Sequence, residues 1–228
     1  MATGALVWDD TGKKIYENGV DHGVLYVRNS DGTYADGVVW NGLTAVNESP
    51  DGAEPNDLYA DNIKYATLRS AETFGATIEA YTYPDEFMPC DGSVSIMDGI
   101  YIGQQARTPF AFCYRTNYGS DSYAAGEDHH YKIHIVYGAT ATPSERNYET
   151  TNDSPDAITF SWEIDTVPIN VTGKKPTASL VIDAAKLTDA HRKKLEDALY
   201  GTDAGAGGTP AATAPTLLTP DEIVSLLS

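Results

Sequence analysis

The sequence is poor in cysteine and in long apolar runs, and each shortage excludes a class of protein. Its 228 residues contain only Cys90 and Cys113, too few for a disulfide framework and wrongly spaced for a structural zinc site. We expect two separate reduced thiols on strands, with a single disulfide as the less favoured alternative. No segment approaches the roughly 20 apolar residues that span a bilayer, and the first residues lack a charged leader followed by a long apolar run. These absences predict a soluble protein made in the cytoplasm, without membrane contact.

Positive charge is also scarce. The chain has 15 Lys and Arg against 33 Asp and Glu, which gives a formal net charge of -18. A surface of that sign repels phosphate backbones, so tight binding to DNA or RNA is disfavoured. Six of the 15 basic residues lie between Lys174 and Lys194, so the region before them is even more acidic than the average.

The common catalytic and cofactor motifs are missing. GxxxxGK[ST], GxGxxG, HExxH, GxSxG and paired CxxC do not occur, so phosphate cradles, zinc-protease sites and nucleophile elbows have no support. His129, His130 and His134 are the best metal candidates, but an adjacent pair does not easily converge on one ion, and we interpret them as solvated histidines. Asp-rich turns lack the ligand spacing of an EF-hand. We expect no catalytic residue, cofactor or metal.

Strand signals dominate the first 180 residues. Short β-branched and aromatic runs are separated by Gly, Asp, Asn and Pro, the pattern of a mainly β sandwich or barrel. Residues 158–164 alternate apolar and polar side chains strictly, as a strand with one buried face does. Residues 37–49 and 63–83 predict two unusually long strands. Between them, residues 50–62 contain two prolines, a glycine and four acids, which predicts a long loop.

The C-terminal part differs in kind. Residues 189–200 predict one amphipathic helix beside the β-domain, which would span residues 1–201. Residues 202–216 are rich in Gly, Ala, Thr and Pro and predict a flexible linker. Residues 217–228 contain a capping box that begins at Thr219 and predict a short C-terminal helix. Such a short helix is marginal alone in water, so we expect it to dock on another surface.

The stretch 71–87, AETFGATIEAYTYPDEF, is the only one that suggests a carboxylate cleft. A glycosidase needs two carboxylates on either side of a sugar, and Glu79 with Asp85 or Glu86 would be the pair. Alternation argues against this, because it places Glu79 on a polar strand face while Pro84 ends the strand before the other acids. The opposite, core-forming face would comprise Phe74, Ala76, Ile78, Ala80 and Thr82. A β-sandwich carbohydrate-binding or hydrolytic protein therefore remains only as the alternative from another class.

Four long segments resemble a known family. They are VWNGLTAVNESPDGAEPNDLYADNIKYATLRSAETFGATIEAYTYPDEFMPCDGS, IGQQARTPFAFCYRT, YKIHIVYGATATPSERNYETTNDSPDAITFSWEIDTVP and KPTASLVID. In this order they resemble the major tail tube proteins of long-tailed (siphovirus-type) bacteriophages, in particular the type common in phages of Gram-positive bacteria. The likeness covers about residues 16–200, and the linker with TPDEIVSLL is similar to the C-terminal tail of that family.

The resemblance implies a structural subunit without enzymatic activity. Its fold would be a tail-tube-type β-sandwich or barrel with one flanking helix, and copies would assemble into stacked hexameric rings that share an inner β-barrel. DNA would pass through the acidic lumen during ejection without tight binding. The implied partners are further copies of the chain and the tape measure, distal tail and tail terminator proteins, and the implied location is the virion tail. The inner tube of a contractile phage-derived particle is the nearest alternative.

Three groups of residues are candidates for roles in such a tube. The candidates for facing the lumen are Glu79, Asp61 and Glu72. The candidates for the loop between rings are Asp51, Glu54, Asp57, Leu58 and Tyr59. The candidates for the subunit interface are Trp40, Tyr81, Tyr83, Lys174, Lys175, Arg192, Lys193 and Lys194. For the basic residues, a solvated helix face is an equal alternative to docking on acids of a neighbour.

Overall fold

The structure, a computed structural model, describes residues 4, 6–52, 54–151, 153, 156–205 and 211–228. These residues form a mainly β fold, as the sequence predicts. The strands are β1 (Tyr16–Val27), β2 (Val38–Trp40), β3 (Leu43–Glu48), β4 (Asp51–Gly52), β5 (Pro55–Ala60), β6 (Ile63–Arg69), β7 (Glu72–Thr73), β8 (Gly75–Ala80), β9 (Val94–Met97), β10 (Ile100–Ile102), β11 (Phe110–Gly119), β12 (Tyr131–Ala141), β13 (Phe160–Thr166) and β14 (Ser179–Asp183). The helices are α1 (Asp189–Tyr200) and α2 (Pro220–Leu227), and short 3-10 turns occur at Asp85–Phe87, Glu127–His129 and Ala184–Lys186.

One large antiparallel sheet organises the fold. Its strand order is β2-β1-β11-β12-β13-β8-β3, and β14 pairs with β12. The sheet is strongly curved, so that β3 comes close to β1. The approach is so close at Gly23 of β1 that an added Cβ atom would lie 2.6 Å from Cδ1 of Leu43 in β3. The result is a barrel-like sheet with an inner and an outer face.

The inner face holds an aromatic core. Trp40 is 1% exposed and its Nε1 donates a hydrogen bond to the carbonyl of Thr82 at 2.9 Å. The rings of Phe87, Phe112 and Trp162 pack around it at centroid distances of 4.5, 5.3 and 5.4 Å, within the range of favourable aromatic pairs. The 3-10 turn that carries Phe87 thus fills the interior of the curled sheet.

The outer face of β1, β11 and β12 is covered by the two helices. Alternation along β12 sends Ile133 and Ile135 to this outer core, where they join Leu195 and Leu199 of α1 and Ile223 of α2. Both helices are capped: the side chains of Thr188 and Thr219 accept hydrogen bonds at the starts of α1 and α2, and α2 has the predicted capping box. The short α2 is therefore stabilised by docking on the β-domain.

Both ends of the predicted flexible linker are bound to the β-domain. Thr202 and Thr213 exchange backbone hydrogen bonds, and the amide of Gly37 donates to the carbonyl of Pro215 at 2.8 Å. The described ends of the linker are thus fixed, contrary to the prediction, while residues 206–210 lie outside the described residues. Cys90 and Cys113 are both buried and free. No helix in the described ranges is long and apolar enough to cross a membrane.

The two predicted long strands are each divided. Residues 37–49 break at Asn41–Gly42, where Gly42 has a φ of +77°, a left-handed value that favours glycine. Residues 63–83 form three strands, β6, β7 and β8, with interruptions at Ser70–Ala71 and Phe74. The prediction of a long loop at residues 50–62 is wrong, because β4 and β5 lie within it.

Candidate assembly surfaces

A long β-ribbon leaves the barrel between β3 and β8. We call residues 49–52 and 54–74 the arm; its strands pair successively as β4 with β7 and β5 with β6, in continuation of the β3–β8 pair. The two strands reverse at Asp61 and Asn62, whose φ values are +53° and +63°. Two consecutive positive φ values are those of a type I′ hairpin turn, which suits the twist of a ribbon. The twelve residue steps from Asn62 to Phe74 give the arm a reach of up to about 40 Å.

The outer half of the arm has one apolar and one polar face. Ala60 pairs with Ile63, Leu58 with Ala66, and Asn56 with Leu68, so that these side chains share a face. The exposed fractions of Leu58, Ile63 and Leu68 are 41%, 64% and 54%. This set of residues, Leu58, Ala60, Ile63, Ala66 and Leu68, is the apolar arm face.

The polar face of the arm is organised around Asp57. Its carboxylate lies 2.8 Å from Nζ of Lys64 and accepts a hydrogen bond from Oγ1 of Thr67 at 2.7 Å. The hydrogen bond from Lys64 and, to a smaller extent, that from Thr67 lower the pKa of Asp57 below its usual value. The bonds join β5 to β6 but leave the apolar arm face uncovered. A two-stranded ribbon is marginally stable alone in water, so we expect the apolar arm face to be buried against another surface.

All five predicted inter-ring residues lie on the arm. Asp51 is in β4, Glu54 follows it, and Asp57, Leu58 and Tyr59 are in β5. Because Asp57, Leu58 and Tyr59 lie on a paired strand, their side chains point alternately to its two faces. Tyr59 is 71% exposed and pairs with Lys64, and therefore lies on the polar side of the ribbon, opposite Leu58.

A polar cluster holds the root of the arm on the barrel. The hydroxyl of Tyr114 donates to Oε1 of Glu48 at 2.6 Å, and Nδ1 of His134 lies 3.5 Å from the same oxygen. His134 and then Tyr114 lower the pKa of Glu48, against the opposing effect of its partial burial. The rings of Tyr114 and His134 stack at 4.7 Å, and Nε2 of His134 lies 2.9 Å from Oγ1 of Thr116. This cluster is not apparent from the sequence, because its members come from three strands distant in the chain.

The polar face of β3, β8 and β13 forms an acidic wall. Glu79 stands opposite Ser161, Thr77 opposite Glu163, and Gly75 opposite Asp165. The three acids therefore share one face, and the buried Ile78 and Trp162 point to the other. Oε1 of Glu79 also accepts a hydrogen bond from Nδ2 of Asn47 at 3.3 Å. We call Glu79, Glu163 and Asp165 the acidic wall.

Of the three predicted lumen acids, only Glu79 is on this wall. Asp61 is in the turn at the tip of the arm, and Glu72 pairs with Gly52 near its base. The structure therefore does not bring the three together. It places Glu163 and Asp165 beside Glu79 instead. The strict alternation in residues 158–164 predicts a polar face for Glu163, but the pairing of β8 with β13 was not predicted.

Three of the predicted interface residues make contacts within the subunit. Trp40 lies in the inner core, and the Tyr83 ring packs on Phe160 and Trp162 at 5.5 and 5.4 Å. Arg192 is 7% exposed and donates hydrogen bonds to Asp189 and to the carbonyl of Ala184. Trp40 and Arg192 are buried within the subunit, which corrects the prediction for these two. Tyr83 is half-buried, and its role at an interface remains a prediction.

The remaining interface candidates are on the surface. Tyr81 is 53% exposed. Lys174, Lys175 and Lys194 are exposed, and Lys193 pairs with Asp197 on the same helix at 2.9 Å. Their predicted role at an interface remains a prediction.

A second exposed ribbon is formed by β9 and β10. The turn between them contains Gly99 with a φ of +80°. Six large apolar residues of this short ribbon are between 40% and 63% exposed: Val94, Ile96, Met97, Ile100, Tyr101 and Ile102. A concentration of exposed apolar side chains marks an interaction surface in many soluble proteins. Sequence analysis did not single out this segment.

The described residues contain no group of three or more His, Cys, Asp and Glu that could hold a metal ion. Of the two adjacent histidines, His130 stacks on Tyr123 at 3.8 Å. Asp85 and Glu86, the proposed partners of Glu79 in a sugar cleft, lie in the 3-10 turn after Pro84.

Comparison with known proteins gives little. No protein-family model matches the sequence, and no curated protein matches it. Among solved structures, the chain is similar to one chain in the six-fold-symmetrised cryo-electron-microscopy structure of the anti-feeding prophage (AFP) baseplate. The TM-score is 0.36 and the identity 8%, over 82% of this chain and 100% of that chain. Similarity at this level identifies no function, so the function has to be inferred from the residues of this chain.

Proposed function

We propose that this chain is a structural subunit of a phage tail, and specifically of the tail tube. The observation that carries the proposal is the arm: a ribbon of paired strands that projects from the barrel with one uncovered apolar face. The covering surface would be another copy of the chain, as the resemblance to tail tube proteins implies. Six copies would form a ring, and rings would stack through the arms.

The acidic wall supports a role as a conduit for DNA. Its three carboxylates stand among Ala45, Asn47, Thr77 and Ser161, and no wall position is occupied by Lys or Arg. A wall of this sign repels phosphate, so DNA would move past it without adhering. In a ring, the wall would line the lumen, and the strands β3 and β8 of all copies would contribute to the shared inner barrel.

The edge of the sheet supports such sharing. β3 is the last strand of the sheet order and pairs with β8 only among the described strands. An open strand edge offers unpaired backbone groups to a neighbouring chain. Near Leu43 this edge lies close to β1, whereas near Glu48 it continues into the arm. A neighbouring copy would pair along this second part.

Negative-stain electron microscopy of the concentrated, purified protein tests the proposal. We expect rings or tubes with an axial hole. A protein that stays monomeric at high concentration and binds glycans would contradict the proposal and favour a carbohydrate-binding function. In the virion, the same chain would be associated with the tape measure, distal tail and tail terminator proteins, which chemical cross-linking of purified tails would detect.

A further inference from the structure

An apolar groove lies at the end of the barrel where β1 finishes and β11 begins. Its volume is about 580 Å³, and its lining includes Arg28, Tyr34, Pro109, Val167, Ile169 and Leu217. This volume lies within the range of pockets that hold small ligands or short peptide segments. We call it the Arg28 groove.

The groove combines an uncovered apolar side chain with an uncompensated cation. Val167 is 68% exposed. Arg28 makes a long hydrogen bond of 3.5 Å from Nε to the carbonyl of Gly32, and it has no ion pair within the described part of the chain. The acid at the rim, Glu222, is turned towards the backbone amide and hydroxyl of Thr219 at 2.8 Å. A ligand that places an apolar group beside an acid would therefore complement this groove.

The base of the groove is shaped by a close backbone contact. Gly138 has a φ of +58°, and a Cβ atom there would lie 2.4 Å from the carbonyl oxygen of Val167. Only glycine allows this approach, in which the amide of Val167 donates to the carbonyl of Gly138 at 3.0 Å. The residues that follow β13 are thus held against β12, where they form one side of the groove.

A segment with the complementary chemistry lies near the start of the chain. Residues 6–10 read LVWDD: three apolar residues followed by two acids. Leu6, Val7 and Trp8 are 78%, 67% and 78% exposed, which is a large apolar exposure for three consecutive residues. Asp9 pairs with Lys14 at 3.1 Å, whereas Asp10 has no ion pair with any described residue.

This segment does not reach the groove of its own subunit. The amide of Gly12 donates to Oδ1 of Asp121 at 2.8 Å, next to the end of β11, and four residues extend at most about 14 Å from there to Trp8. β1 and β11 pair from Tyr16 with Gly119 at this end to Val27 with Phe110 at the other. The nine steps along β11 separate the ends by roughly 30 Å. The segment and the groove are therefore at opposite ends of the same barrel.

We propose that residues 6–10 of one copy bind in the Arg28 groove of a second copy. Trp8 and its apolar neighbours would cover Val167, and Asp10 would pair with Arg28. Because the two surfaces differ and lie at opposite ends, the contact is heterologous and joins copies head to tail, the arrangement that builds rings or open-ended stacks. The inference rests on the self-assembly that the proposed function requires, and it adds a specific contact to that assembly.

Cross-linking between two single variants tests the contact. Val7→Cys and Val167→Cys leave Trp8 and Arg28 in place, and the native thiols of Cys90 and Cys113 are buried. The two variants are mixed before assembly and treated with a short bis-maleimide. We expect dimers at a yield at least about ten-fold above either variant alone, since each alone lacks one of the paired sites. The double variant should give a ladder of cross-linked multimers.

Two further variants report on the chemistry of the contact. Trp8→Ala, introduced into the Val7→Cys chain, should lower the dimer yield by about ten-fold, because it removes the largest apolar group of the segment. Arg28→Glu should lower the yield up to about five-fold, the effect of an exposed ion pair, and Asp10→Lys should restore it. Equal yields in the mixture and in the single variants would overturn the inference, as would an unchanged yield with Trp8→Ala. Electron microscopy of the wild-type protein separates the two proposals: tubes without this cross-link leave the proposed function intact.

Discussion

Replacing the apolar arm face with polar residues should abolish assembly without unfolding the subunit. The variant Leu58→Ser, Ile63→Ser, Leu68→Ser changes three side chains that are 41%, 64% and 54% exposed in the isolated subunit. Exposed substitutions of this kind alter stability by about 0.5 kcal/mol or less each. The monomer should therefore unfold at nearly the same denaturant concentration as the wild type.

The effect on assembly follows from the area that a neighbour would bury. Full burial of Leu or Ile contributes roughly 1.5–3 kcal/mol. About half of each side chain is still exposed, so a covering surface would gain about 1 kcal/mol per residue and about 3 kcal/mol for the three. At 1.4 kcal/mol per factor of ten, this weakens each contact on the order of 100-fold. The protein concentration needed for assembly should rise accordingly.

Sedimentation velocity over a concentration series measures this change, with electron microscopy to identify the species. Val181→Ser is the matched control, since Val181 is 51% exposed but lies on β14, away from the arm. The control should assemble as the wild type does. If the triple variant is folded and assembles at the wild-type concentration, the apolar arm face is not buried between copies and the reasoning fails.

Three further predictions concern the wall, the core and the arm root. The triple change Glu79→Lys, Glu163→Lys, Asp165→Lys should make assembled particles retain DNA in a gel-shift assay, because the wall then attracts phosphate; particles that still do not bind DNA would argue against a lumenal wall. Trp40→Ala should lower the free energy of unfolding by about 3–5 kcal/mol, measured by denaturant titration, and a loss of under about 1 kcal/mol would contradict its core position. Glu48→Gln should destabilise the subunit by less than about 1 kcal/mol at pH 7, since the carboxylate is partly exposed. Because the folded state lowers the pKa of Glu48 from its ordinary 4.5, this difference should be present above pH 4.5 and shrink as the pH falls through the lowered pKa; a difference independent of pH would rule out the carboxylate as its source.

Local patterns in the sequence were sufficient for the faces of individual elements. Alternation correctly assigned Ala76, Ile78 and Ala80 to the core, because a strand side chain points to one of only two faces. The assignment of Thr82 to the core is wrong, because β8 ends at Ala80 and Thr82 is exposed. The caps of α1 and α2 were also predictable, since each depends on a residue at the helix start and its neighbours within one turn. What these signals share is that the deciding contacts lie within a few residues.

The arm was not predictable in this way. Prolines and acids in residues 50–62 are typical of loops, but Pro55 opens β5, a position where proline is tolerated. The strand exists because β6 pairs with it, and that register is not visible in either segment alone. The acidic wall was not predictable for the same reason. Glu79 and Glu163 are brought together only by the pairing of β8 with β13, and the two residues are more than eighty positions apart in the chain.

The strong negative charge of the chain explains why its candidate contacts are apolar. Copies with a formal net charge of -18 repel one another, and this repulsion opposes any assembly. The apolar arm face contains no charged residue, and the Arg28 groove presents its cation to a segment that ends in two acids. The apolar arm face gains free energy from burial without adding like charges to the interface. In the proposed tube, association and repulsion would act at different places: burial at the arm and the groove would hold copies together, while the acids of the wall would repel the phosphates of a passing DNA chain.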